Sequence, residues 1–172
     1  MIFGLSLSAF TTLHVILSLI AMLAGVVVMI GMLVSLRLGF WAGLFLATAI
    51  LASATGYLFP APGLLPSHIV GAISLLALVI AAFAFYGGRL RGPRRWFYVV
   101  GVVLAVYLDV FVGVIQAFQK LAFFHALAPT QTEAPFAIVQ LAVLAIFLAW
   151  GFFALRCFVP ERNAARFATA AH

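Results

Sequence analysis

Charge is what this sequence has least of: 7% of its 172 residues are Asp, Glu, Lys or Arg, where soluble domains carry about 25%. With 67% hydrophobic residues and a mean hydropathy of +1.32, that shortage excludes a soluble domain. Almost no chain remains outside the apolar segments, so a separate catalytic domain, a zinc finger, a P-loop or Rossmann unit and a nucleic-acid module are excluded with it. The single cysteine, Cys157, excludes an internal disulfide and a cysteine-based metal pair. Acidic residues number three, Asp109, Glu133 and Glu161. They form no paired-carboxylate motif, and no nucleophile elbow or Gly-rich phosphate loop accompanies them, so the expectation is a protein that is not an enzyme.

What the chain has is long apolar runs. A helix needs about 20 apolar residues to cross a ~30 Å hydrocarbon core, and five segments meet that length, at 7–36, 40–58, 67–86, 96–118 and 136–155. The expected fold is all-α: a polytopic membrane bundle of five transmembrane helices, one domain over 1–158 with a short basic tail over 159–172. The first segment lacks a basic n-region and far exceeds the ~7–15 residues of a signal-peptide core, so it reads as a retained span. The bilayer is the first expected partner, and the tail, with Glu161, Arg162, Arg166 and His172, suits the surface of an anionic membrane.

The net charge of +6 carries orientation before it carries ligands. With the N-terminus outside and the C-terminus inside, Arg37, Arg89, Arg91, Arg94, Arg95, Arg156, Arg162 and Arg166 are cytoplasmic and only Lys120 is external, a split of eight to one. Trp41, Trp96 and Trp150 then fall at cytoplasmic span ends, as interfacial indoles do. Small residues four apart, Ala21 with Gly25 and Gly101 with Ala105, let helix backbones approach closely, either within the bundle or across a homodimer.

Polar residues concentrate in the outer half. Counting ~1.5 Å per residue from Trp96 puts Asp109 past the midplane, and the same count reaches Ser53, Ser74 and the turn below Gln140. In the fourth span Gly101, Ala105, Asp109, Gly113, Gln116 and Lys120 make one helical stripe, and His14, Ser18, Ala21 and Gly25 make another in the first. Asp109 has no Lys or Arg at its depth, so it is expected to be protonated or bonded to Ser53, Ser74 or water, as a core hydrogen-bonding group or as a proton- or substrate-binding carboxyl. His14 and His68 are candidate ligands. Imidazoles on two helices suit the axial positions of a haem b, or with Glu133 or His125 a transition metal, and otherwise they are packing residues. No His-x-x-Glu-His or His-Glu-x-x-His spacing accompanies them. Gln116, Gln119, Lys120, Gln131, Thr132, Glu133 and Gln140 complete the outer group, as a cleft lining or as ties for the 126–135 turn.

Leu46-Ala47-Thr48, Thr55-Gly56-Tyr57-Leu58-Phe59-Pro60, Pro66-Ser67-His68-Ile69-Val70-Gly71, Val106-Tyr107-Leu108-Asp109-Val110-Phe111-Val112, Gln116-Ala117-Phe118-Gln119-Lys120 and Ala126-Leu127-Ala128-Pro129-Thr130-Gln131 resemble a group of small, uncharacterised polytopic inner-membrane proteins of proteobacteria. The likeness spans residues 10–157. It implies a bacterial inner-membrane location and no established activity, and it implies Asn where this chain has Asp109, a departure that weakens a titrating role and leaves hydrogen bonding intact. The functional expectation is a periplasm-facing polar cleft that binds a small ligand or a partner subunit through His14, His68, Asp109, Gln116, Lys120 and Gln140. The alternatives are a haem-b electron-transfer or membrane-anchor subunit ligated by His14 and His68, and a small transporter or proton conductor.

Overall fold

The computed structural model describes residues 4–60, 63 and 66–160. The basic tail from Glu161 onward and part of the proline-rich loop at 59–66 lie outside the described residues. Helices run over α1 (Leu7–Leu33), α2 (Gly39–Gly56), α3 (Pro66–Tyr86), α4 (Gly92–Lys120), α5 (Ala122–Leu127) and α6 (Ala134–Cys157), with no strand among the described residues. All but the short α5 are long and apolar enough to span a bilayer, which makes the chain a multi-pass membrane protein.

Hydropathy set the number of spans, and local chemistry set their ends. Ser6 starts α1 by accepting a hydrogen bond from the Ala9 N–H. The helix stops at Leu33, short of the expected 36, because Ser35 turns left-handed at φ 58. The Leu36 N–H then reaches the Gly31 carbonyl at 2.8 Å and the Ser35 N–H reaches Met32 at 3.2 Å, a Schellman closure. Pro93 in the first turn of α4 starts that helix at Gly92, ahead of the expected 96, and draws Arg94 and Arg95 into it. The short α5 has no counterpart in the apolar pattern.

Helices α1 to α4 form a ring in chain order, with α4 closing back on α1, and α6 lies outside it against α4 and α1. The core fills the arginine-rich half of the ring with Phe45, Leu78, Val99, Val102 and Val106, all almost wholly buried. Glycines allow the close approaches there. A Cβ on Gly25 would lie 2.5 Å from Val106 Cγ2 and 3.0 Å from the Phe45 ring, and one on Gly101 would lie 2.7 Å from the Ala77 carbonyl. Both small-residue pairs read from the sequence are thus used within one chain. Large apolar side chains such as Phe40, Phe83 and Leu23 point outward, as residues solvated by lipid do.

The arginines at that end do more than mark orientation. Arg37 donates to the Phe85 carbonyl at 2.8 Å, Arg94 to Gly87, and Arg95 to Leu155 at 2.7 Å and Phe158 at 2.9 Å. The last turn of a helix has carbonyls without intrahelical donors and a partial negative charge, so each guanidinium satisfies both needs at the ends of α3 and α6.

Candidate functional site

The ring is packed solid at its arginine-rich end and splays at the other. Where Gly25 touches Val106, the α1 and α4 backbones are as close as side chains permit, whereas two turns further along α4 a Cβ on Gly113 would meet nothing within 4 Å. The gap is a cavity of about 590 Å³ bounded by α1, α2, α3 and α4. Val15 and Leu19 on α1 and Gly113 and Gln116 on α4 line it and are also exposed, so it opens sideways between these two helices as well as at its end.

Of the residues selected from the sequence, His14, His68, Asp109, Gln116 and Lys120 line this cavity, together with Ser18, Ser53 and Ser74. Gln140 does not. Its Nε2 donates to the Phe111 carbonyl at 3.2 Å in the seam between α4 and α6, and its Oε1 has no partner among the described residues. His125 sits on α5 with Nδ1 3.3 Å from the Phe118 carbonyl. Gln131 donates to Ile115 at 3.0 Å. Glu133 accepts from Thr130 and Thr132 in the turn before α6. Partial desolvation acts to raise the Glu133 carboxyl, but hydrogen bonds from its own backbone and from those two threonines outweigh it and hold the group below its usual range. The outer polar group therefore divides into a cavity set and a set about the 126–135 turn, with Gln140 apart from both in the α4–α6 seam.

Hydroxyls in a membrane helix satisfy themselves on the preceding turn. Thr11 donates to Leu7 at 2.8 Å, Ser18 to His14 at 2.9 Å and Thr55 to Leu51 at 2.8 Å. The bond between His14 Nδ1 and Thr55 Oγ1, 2.9 Å, then has one direction. The only hydroxyl hydrogen of Thr55 is engaged with backbone carbonyls of α2, so Nδ1 carries the hydrogen and Nε2 of the neutral ring is a bare acceptor. The Phe59 ring meets this imidazole edge-on at 5.3 Å.

His68 is held differently. Its ring stacks on Tyr57 with centroids 5.3 Å apart, while the Tyr57 hydroxyl donates to the His68 carbonyl at 2.6 Å. Gly71 makes room for that tyrosine, since a Cβ there would stand 3.2 Å from its ring. Tyr57, Thr55 and Phe59 thus shape both histidines. The sequence singles out none of them as a site residue, and for Thr55 no spacing rule links the end of one helix to a residue 41 positions earlier.

At the floor, Ser53 donates to Ser74 at 3.5 Å, a long bond. Asp109 lies beside them on the cavity wall, its Oδ2 enclosed and without a hydrogen-bond partner among the described residues. The bond from Asp109 to Ser53 or Ser74 expected from their shared depth is not made: Ser53 gives its hydrogen to Ser74 instead, and no serine hydrogen reaches the enclosed Asp109 oxygen. Among the described residues no three His, Cys, Asp or Glu side chains converge as a metal ion would need; Glu133 and His125 are outside the cavity lining.

No family model matches this chain, and comparisons with curated proteins and with solved structures likewise found no match.

Proposed function

We propose that this is a non-enzymatic, multi-pass protein of a bacterial inner membrane whose histidine-lined cavity, facing the periplasm, binds a small ligand. The observation that carries the reading is the cavity's shape: polar groups line a pocket of about 590 Å³, and below it Phe45, Leu78, Val102 and Val106 pack the ring with almost no exposed surface. A closed end suits capture better than conduction, and a transporter or proton conductor needs polar groups through both halves. The eight-to-one basic split supports the orientation, and the resemblance to proteobacterial inner-membrane proteins supports the location.

Native mass spectrometry of protein extracted from its own membranes tests the reading. The intact chain is expected to carry a small-molecule adduct that Gly113→Phe removes by filling open space, with thermal stability in detergent unchanged. A bare chain, or an adduct that Gly113→Phe leaves in place, would overturn it. An absorption spectrum separates this reading from the haem alternative. Low-spin b-type bands that vanish in His14→Ala and in His68→Ala would replace it.

A further inference from the structure

The cavity's hydrogen bonds are unevenly assigned. Ser18 has given its hydrogen to the His14 carbonyl, Ser53 to Ser74 and Thr55 to its own helix, so the oxygens of Ser18 and Ser53 offer only lone pairs to the cavity. His14 offers Nε2, an acceptor by the same reasoning. Asp109 offers its carboxyl, with one oxygen enclosed and unpartnered among the described residues. Among the described residues Ser74, which accepts from Ser53, is the one hydroxyl at this depth that gives its hydrogen to no other protein atom. The depth of the cavity is therefore a cluster of acceptors around an acidic side chain.

Among the described residues no fixed cation stands there. Lys120 is 11 residues beyond Asp109, ~16 Å along the helix, and is exposed at the rim. A carboxylate in a low-dielectric site needs a cationic partner close by, and acceptors need donors. A protonated amine supplies both, as one positive charge with several N–H donors. The route in is lateral: Val15, Leu19 and Gly113 leave the α1–α4 side open where lipid solvates the bundle, and apart from Gln116 the lining there is apolar.

We infer that the cavity takes an amine-bearing amphiphile from the bilayer, its ammonium among Asp109, His14 Nε2 and the Ser18 and Ser53 oxygens, its hydrocarbon tail leaving between α1 and α4. The assignment rests on the ligand-binding reading above and deepens it. The volume is far larger than a single ion requires, and the apolar walls above the acceptors match a chain.

The test uses the full chain in neutral detergent micelles near pH 7 with three probes of equal length, dodecylamine, dodecanol and dodecanoate. Binding is read as displacement of a fluorescent dodecylamine derivative and as a shift in the unfolding midpoint. The amine is expected to bind at least tenfold more tightly than the alcohol, and Asp109→Asn, nearly isosteric, to bring the two within about twofold. The Asn chain in the same micelles also corrects for the charge the amine gives the micelle. His14→Ala is a second variant and is expected to weaken the amine severalfold without favouring the acid.

Equal binding of amine and alcohol by the intact chain, or a preference that survives Asp109→Asn, overturns the amine assignment while leaving the cavity a binding site. A preference for dodecanoate that Lys120→Ala removes moves the site to the rim and also overturns it. The same stabilisation by sodium ions alone reassigns the acceptors to an inorganic cation. If none of the three probes binds, the ligand-binding reading fails with the assignment.

Discussion

His14 on α1 and Thr55 on α2 share a single hydrogen across 2.9 Å, and Thr55 decides which of them holds it. Because the threonine hydroxyl is turned back to Leu51 at 2.8 Å and Ala52 at 3.0 Å, it can only accept from the imidazole. Nitrogen-15 spectra of labelled protein at neutral pH are expected to show the His14 ring protonated at Nδ1 and bare at Nε2. Thr55→Val keeps the shape and removes the acceptor. It is expected to mix the tautomers and to lower stability by about 1 kcal/mol; a His14 signal unchanged in that variant would mean the threonine is not what orients the ring.

The two ends of α4 respond oppositely to added volume. Gly101→Val pushes a side chain into the Ala77 carbonyl, where the neighbouring backbone has nowhere to go. It is expected to cost about 1–3 kcal/mol or to prevent folding. Gly113→Val extends into open space and is expected to melt within about 0.5 kcal/mol of the parent. Thermal unfolding in detergent compares them, and equal losses would contradict the splayed ring.

At Asp109 the size of the side chain and its polarity separate. Asn preserves volume and hydrogen bonding, so Asp109→Asn is expected to fold with undiminished thermal stability. Asp109→Leu forces a branched apolar chain beside Ser53 and Ser74 and is expected to lower the detergent unfolding midpoint, by roughly 1–3 kcal/mol. Equal stability of the two variants would show that the floor does not depend on a polar group at that position.

Orientation has its own measurement. With Cys157 replaced by Ala, single cysteines at Gly63 and Arg91 report opposite faces. The first is expected to react with an impermeant thiol reagent added to intact cells, and the second only after lysis. The reverse pattern would invert the bundle and turn the cavity toward the cytoplasm.

Span number and approximate length were legible from hydropathy, since ~20 apolar residues have no other stable disposition in a chain this poor in charge. The shared depth of Ser53, Ser74 and Asp109 was legible too, because rise per residue is constant. Azimuth was not. Whether Gln140 turns toward the cavity or toward Phe111 depends on how α6 is rotated against α4, and α6 has apolar residues on every side. The left-handed Ser35 was equally hidden, as nothing in Val34-Ser35-Leu36 distinguishes a helix end from a helix interior. Arginine counting assigns a side of the membrane, and only the fold reveals that Arg37, Arg94 and Arg95 bond particular carbonyls.

The last helix bears on how the protein is made. Ala154 is the only buried residue of α6, and its hold on the ring includes Trp150 Nε1 on the Met29 carbonyl at 3.1 Å, Gln140 on Phe111 and Arg95 on Leu155 and Phe158. Among the described residues every wall of the cavity comes from before Leu121. During synthesis, at about 5–20 residues per second, the cavity walls can be complete while α6 is still leaving the ribosome, and the arriving helix need only latch onto a finished ring. Chain order and final architecture thus run the same way, with the residues of the chamber made first and its outer brace last.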